Sequence, residues 1–200
     1  MAKYSMVIDV KACVSCKACM AACSTENQTP FWDDKFRTHV EDKTEGKYPD
    51  VNRVFLPRLC MHCENAPCEA ACPTGATYIT QDGIVKVNYD RCIGCFACVI
   101  ACPYDARYAY ESEDIEKNET LHPDKNYHNV PHVDKCTYCD HRLKEGLEPA
   151  CVETCPTGAR IFGDLENKES EVYKKVASEK AKSLRPELGT HVRTFYINTK

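Results

Sequence analysis

Apolar positions in this chain come in short runs rather than long periods. The longest unbroken stretch, Cys95 to Cys102, covers eight residues, against the roughly 20 that a membrane-spanning helix needs. No span is expected. Tyr4 to Asp9, Arg160 to Phe162 and Thr194 to Asn198 are β-branched or aromatic runs and predict strands. Thr77-Tyr78-Ile79-Thr80, a turn at Gln81-Asp82-Gly83, and Ile84-Val85-Lys86-Val87-Asn88 together predict a hairpin. One helical period stands out. Val172, Val176 and Ala177 share a face within Ser170 to Leu184, where Ser170 can cap the start and Arg185-Pro186 ends it. The stretch Glu111 to Asn129, with six acids, two bases and Pro123, predicts a solvated surface loop.

This pattern leaves little material for a core. Leu, Ile, Val and Phe make up 37 of 200 residues, 28% of the chain is charged and the mean hydropathy is −0.50; that apolar share is below the level of an ordinary globular interior. Something other than aliphatic side chains must fill it. The net charge of −4 argues against nucleic acid, which prefers a basic surface. From Glu166 to Glu187 five acids face six bases, the balance of a solvated helix face. The N-terminal MAKYSMVIDVKAC lacks the order of charged region, apolar run and cleavage site that an export signal needs.

The 16 cysteines fall into four groups of four: 13, 16, 19, 23; 60, 63, 68, 72; 92, 95, 98, 102; and 136, 139, 151, 155. The first and third read C-x2-C-x2-C-x3-C, the run that holds a [4Fe-4S] cubane in bacterial ferredoxins. The others widen one gap but keep the opening C-x2-C and the closing C-x3-C-P. Three thiolates two residues apart on a tight loop reach three corners of one cube. A helical turn then carries the fourth away toward a second cube. Eight disulfides would crowd several thiols onto one turn, and zinc sites do not use this triple spacing. No C-x-x-C-H haem motif is present, and the eight glycines fit neither a Rossmann nor a P-loop pattern.

The groups also repeat. The first and third align at a constant offset of 79, and the second and fourth both close in Cys-Pro-Thr-Gly-Ala, at Cys72 to Ala76 and Cys155 to Ala159. Nineteen residues holding the expected hairpin separate groups two and three, whereas the connectors 24 to 59 and 103 to 135 show no comparable hairpin signal. The expected fold is therefore α+β: two ferredoxin-like two-cluster modules, one inserted in the other, with long connecting loops. Residues 60–102 form the inner module. Residues 1–59 and 103–200 form the split outer one.

These residues resemble a known family, the four-cluster ferredoxin-like electron-transfer (beta) subunits of molybdopterin oxidoreductases. The likeness rests on MVID before Cys13-Val14-Ser15-Cys16, on Cys60-Met61-His62-Cys63 through Cys68, on Cys102-Pro103-Tyr104-Asp105-Ala106-Arg107-Tyr108, on Cys136-Thr137-Tyr138-Cys139, and on Pro149-Ala150-Cys151 through Leu165. Length and the tail Leu184-Arg185-Pro186-Glu187 with Phe195-Tyr196 resemble the polysulfide/thiosulfate reductase type. By matching positions, the resemblance implies one cluster on Cys13, Cys16, Cys19 and Cys155. It implies a second on Cys60, Cys63, Cys68 and Cys102, a third on Cys72, Cys92, Cys95 and Cys98, and a fourth on Cys23, Cys136, Cys139 and Cys151. All sixteen ligands are cysteine, so four cubanes are expected. Ser24 stands where other groups have proline and should alter chain direction more than ligation.

With about −2 per site, four such centres would bring the holoprotein to about −12. The expected role is electron relay, without a catalytic residue, between a molybdopterin-containing catalytic subunit and an integral membrane quinone-reactive subunit. The family implies a position on the periplasmic side of the cytoplasmic membrane, reached with a signal-bearing partner; a cytoplasmic location is the alternative. A free polyferredoxin shuttling between soluble enzymes is the competing reading. Among other residues, His62 reads as an orienting surface histidine and Trp32 as a loop-packing side chain. Tyr104, Tyr108 and Tyr110 read as covers over a cluster, and Lys11, Lys17 and Arg91 as charges flanking the cysteine loops.

Overall fold

The computed structural model describes residues 2–29, 32, 35–121, 131–178 and 181–199. Its central sheet joins the two ends of the chain. Strand β1 (Tyr4–Asp9) lies between β8 (Arg160–Asp164), antiparallel to it, and β9 (Thr194–Ile197), parallel to it, with Val7 opposite Ile161 on one side and Phe195 on the other. A middle strand loses both faces to packing, and Met6, Val7 and Ile8 are fully buried. Because side chains alternate along a strand, Met6 and Ile8 enter the main core with Leu59, Met61, Tyr138 and Tyr196, while Val7 meets Val172 and Ile197 on the other face. Helix α7 (Glu171–Ser178) supplies Val172 to that second cluster, and the Tyr173 N–H donates to Ser170 Oγ at 3.1 Å. The cap is as expected, but the helix, described through Ser178, does not extend to Leu184: residues 181–184 are not helical. Lys182 instead pairs its backbone with Tyr196 beside the sheet.

Strands β4 (Thr77–Ile79) and β5 (Val85–Val87) form the expected hairpin, with Gly83 at φ +83° in its turn. Both connectors differ from the sequence expectation. Helix α1 (Ala18–Asn27) runs through Ser24, and β2 (Thr38–Lys47) pairs with β3 (Asp50–Leu59) over ten residues. The second connector contains the pair β6 (Tyr108–Tyr110) and β7 (His132–Asp134). The β2–β3 ribbon hides its signal because its outer half is solvated on both faces, so apolar and polar positions do not alternate; Arg53–Asp42 and Arg58–Glu41 ion pairs link the strands.

The expected surface loop from Glu111 is also corrected. Residues Ser112–Leu121 form helix α4, whose first turn is fixed by buried Asp114. That carboxylate accepts bonds from Trp32 Nε1 at 2.9 Å, Lys35 Nζ at 2.6 Å and the Glu111 N–H at 2.9 Å. The remainder of that stretch, residues 122–130, lies outside the described residues. Short helical turns α2 (Pro67–Ala70), α3 (Ala97–Ile100), α5 (Asp140–Lys144) and α6 (Ala150–Glu153) complete the framework. Among the described residues no helix is long and apolar enough to cross a membrane.

Candidate functional site

Each cysteine group is a loop that turns into a short helix, and the turn has a common device. The residue before the second cysteine is left-handed in all four groups: Ser15, His62, Gly94 and Tyr138, at φ between 45° and 65°. This conformation folds successive N–H groups into a concavity that suits anions. Accordingly, the His62 N–H points at Cys60 Sγ (3.5 Å) and the Tyr138 N–H at Cys136 Sγ (3.4 Å). Only one of the four is glycine. A Cβ at Gly94 would sit 2.2 Å from the Pro131 carbonyl oxygen. The third cysteine of each group then lies in a helix, Cys19 in α1, Cys68 in α2, Cys98 in α3 and Cys151 in α6, and the fourth lies one turn on.

Sixteen cysteines are thereby gathered into quartets drawn from two groups each. One cavity, with about 340 Å³ of empty space, is lined by Cys13, Cys16, Cys19 and Cys155. A second, about 290 Å³, is lined by Cys23, Cys136, Cys139 and Cys151. A third, about 310 Å³, is lined by Cys72, Cys92, Cys95 and Cys98. The remaining four meet as well: burial pushes the Cys63 thiol up to about 12, and like charge on Cys60, Cys68 and Cys102 adds to it. Among the described residues no three Cys, His, Asp or Glu side chains close on the space of one ion. The thiols of a quartet surround a larger volume instead.

The repeated Cys-Pro-Thr-Gly-Ala explains itself at two of these spaces. At Cys72, burial raises the thiol, but the Thr77 N–H (3.4 Å) and the Thr74 hydroxyl (3.7 Å) pull it down to about 7. At Cys155, burial is likewise outweighed by the Thr157 hydroxyl at 3.8 Å and by backbone N–H groups through Arg160. Donors aimed at sulfur favour the thiolate. A set of four convergent sulfurs with N–H and hydroxyl donors fits an iron–sulfur core, whose ligands must be deprotonated.

The quartets stand in sequence through shared elements. Helix α1 gives Cys19 to the Cys13 quartet and Cys23 to its neighbour, α6 gives Cys151 to the Cys23 quartet while Cys155 just beyond it joins the Cys13 quartet, and α2 with α3 and the residues that follow them link the Cys60 and Cys72 quartets. The two pairs meet where His62 stacks on Tyr138, ring centroids 3.7 Å apart. His62 is therefore no surface histidine. It is fully buried, and its Nδ1 accepts the Val85 N–H at 3.1 Å, because the left-handed turn drives the ring inward against β5.

Of the remaining expectations, Trp32 does pack a loop, through its bond to Asp114. Tyr104 and Tyr110 are buried; the Tyr104 hydroxyl sits 2.5 Å from Thr190 Oγ1, and the Tyr108 hydroxyl donates to Asp134 Oδ2 at 2.7 Å. Asp134 also takes Arg37, and although burial raises it, Arg37 and Tyr108 hold that carboxyl at about 2. Lys17 caps α1 in a left-handed conformation on the Cys13 cavity, and Arg91 Nη2 donates to the Thr74 carbonyl at 2.6 Å; Lys11 is exposed. Three residues escaped the sequence reading: Arg107, Lys135 and Arg160 are buried cations among the quartets. A signal was available for two of them, since Arg107 and Arg160 each stand five residues beyond the closing cysteine of their group.

Comparison with known proteins supplies the family. Residues 51–165 and residues 8–76 each match a model described as a 4Fe-4S dicluster domain; the two matches overlap and cross the boundaries expected for the inner module. The chain is similar to the B component of tetrathionate reductase from Salmonella typhimurium, 42% identical over 98% of this chain and 72% of that protein. It is 40% identical to the B component of polysulfide reductase from Wolinella succinogenes, over 99% of this chain and 95% of the other. It is 38% identical to the arsenate respiratory reductase iron-sulfur subunit of a Shewanella species (strain ANA-3), over 98% and 97%.

Proposed function

The protein is a member of the 4Fe-4S dicluster family, as an electron-carrying iron-sulfur subunit of the reductase type rather than a catalytic one, and on that premise we propose that it is a four-cluster wire. The quartets Cys13/16/19/155, Cys23/136/139/151, Cys60/63/68/102 and Cys72/92/95/98 each hold one [4Fe-4S] cluster. The carrying observation is that cysteines far apart in sequence line common cavities in three of these combinations, and that the other four interact at Cys63. When bound, such clusters supply one-electron storage at potentials set by hydrogen bonds, charge and exposure. The chain's own work is to keep them in file, surround the middle two with buried cysteines and leave the outermost approachable. In support, Cys23, Cys136, Cys139 and Cys151 are all buried, as are Cys60, Cys63 and Cys68, while Cys16 and Cys95 at the two ends are exposed. Exposed Val14 and Ile93 flank those end cysteines at equivalent places in the repeat.

The same reading gives the division of the chain. Residues 1–59 and 103–200 make an outer unit closed by the β8-β1-β9 sheet, and residues 60–102 an inner one around β4–β5; support comes from the pairing of the chain's ends and from the local hairpin. One end of the file faces a molybdopterin-containing catalytic subunit and the other an integral membrane quinone-reactive subunit, as the relatives' roles as subunits of reductases suggest. The assembly is peripheral on the periplasmic side of the cytoplasmic membrane, in keeping with the likeness to polysulfide reductase.

The test is to replace one cysteine per quartet with serine in the intact complex, then count clusters by iron, acid-labile sulfide and electron paramagnetic resonance. Each substitution removes or alters one of four signals and depresses quinol-linked turnover. Normal turnover with any cluster missing would end the relay reading, and isolation from native membranes as a stable monomer would favour a free shuttle.

A further inference from the structure

The three buried cations occupy the three junctions between neighbouring quartets. Arg160 lies between the Cys13 and Cys23 quartets: Nη1 is 3.6 Å from Cys151 Sγ, and the charge is felt at Cys13 and Cys151 and in turn feels Cys19 and Cys136. Lys135 lies between the Cys23 and Cys60 quartets. Its Nζ donates to the Cys136 carbonyl at 2.5 Å and to the Val85 carbonyl, and it interacts with Cys60, Cys68 and Cys136. Arg107 lies between the Cys60 and Cys72 quartets, its charge interacting with Cys60, Cys68 and Cys102 of the first and with Cys98 of the second, while its Nη1 donates to Thr77 Oγ1 at 3.2 Å.

None of the three is matched by a carboxylate in any described ion pair; their neutral partners are Thr38 Oγ1 for Arg160, carbonyls for Lys135 and Thr77 Oγ1 for Arg107. Arg107 keeps Nε and Nη2 buried without a partner. A buried cation lacking a counter-charge is strongly disfavoured. Arg37, by contrast, is neutralised at once by Asp134. The anions within reach of Arg107, Lys135 and Arg160 are the cysteine sulfurs, from two quartets at a time.

We propose that Arg107, Lys135 and Arg160 are potential-setting bridges, each holding one positive charge in common between two adjacent clusters. This rests on the four-cluster reading above. A cation placed between two sites stabilises the reduced form of both. It also offsets the repulsion between neighbours when an electron sits on one of them, so adjacent potentials stay close enough for transfer in either direction. The three are positioning residues that act through charge, not groups that meet a substrate.

Anaerobic redox titration of the isolated protein, followed by electron paramagnetic resonance with signals assigned from the serine variants, tests this. Arg107→Gln lowers the potentials of the Cys60 and Cys72 clusters, Lys135→Gln those of the Cys23 and Cys60 clusters, and Arg160→Gln those of the Cys13 and Cys23 clusters. Each falls by at least a tenfold change in the one-electron equilibrium, about 59 mV. The charge-keeping variants Arg107→Lys, Lys135→Arg and Arg160→Lys stay near the wild type. Shifts at one cluster only, at all four alike, or at none overturn the proposal, as do charge-keeping variants that shift as far as the glutamine ones. If a glutamine variant assembles fewer than four clusters, the charge-keeping variant decides: four clusters restored supports a role for charge, and continued loss assigns the residue a packing role and overturns the bridge. Fewer than four clusters in the wild type would instead defeat the four-cluster reading itself.

Discussion

At the scale of single residues, the cysteine loops are legible in part. The ligand types and their spacing are local chemistry, so the sixteen positions could be read directly. The backbone that presents them could not, because three of the four left-handed residues, Ser15, His62 and Tyr138, carry side chains that ordinarily avoid φ > 0. Gly94 was the lone hint. Replacing it with alanine should cost about 1–3 kcal/mol, since the new methyl meets the Pro131 carbonyl oxygen at 2.2 Å as well as straining the backbone. Gly146→Ala is the comparison: it shares a left-handed φ of +77° with nothing within 4 Å, so it should show only the backbone cost of about 1 kcal/mol. Thermal unfolding of the anaerobic holoproteins separates the two. His62 shows the opposite failure, for a histidine beside two cysteines gives no sign in sequence that its ring will be enclosed between β5 and Tyr138.

Among elements, visibility followed the kind of burial. The β4–β5 hairpin could be seen because its short strands flank a turn with Gly83, and β1 because a strand buried on both faces carries Met6, Val7 and Ile8 in one run. The ribbon β2–β3 and helix α4 were missed for one reason: among the described residues each is largely solvated and held by polar contacts, which leave no periodic apolar stripe. Helix α4 hangs on Asp114, whose burial would raise its pKa but whose bonds to Lys35, the Glu111 N–H and Trp32 keep the carboxyl below its usual value. Asp114→Ala should remove about 1–3 kcal/mol and loosen α4 in particular. Amide exchange in residues 112–117 should quicken and the fluorescence of Trp32, the single tryptophan, should shift, while iron content stays at the wild-type level.

The whole molecule replaces a large aliphatic core with two layers: a modest apolar cluster around β1 and, beside it, spaces walled by cysteine. Stripping iron and sulfide should therefore unfold most of the chain, visible as loss of far-ultraviolet circular dichroism on anaerobic chelation. A truncation after Gly189 makes a sharper test. It removes β9 together with the Arg193 N–H that bonds the Met61 carbonyl and the Thr194 hydroxyl that bonds the Cys60 carbonyl, so it should abolish cluster assembly even though the last cysteine, Cys155, is retained.

Placing β1 beside β9 also sets a timetable for biosynthesis. The first strand leaves the ribosome with its parallel neighbour still unmade, and residues 10 to 193 must be added before that edge can close. At about 5–20 residues per second this takes roughly 10–40 s, during which a nascent chain exposes unmatched thiols and a strand with an open side. A chaperone that shields residues 4–9 until β9 is made would have a defined task.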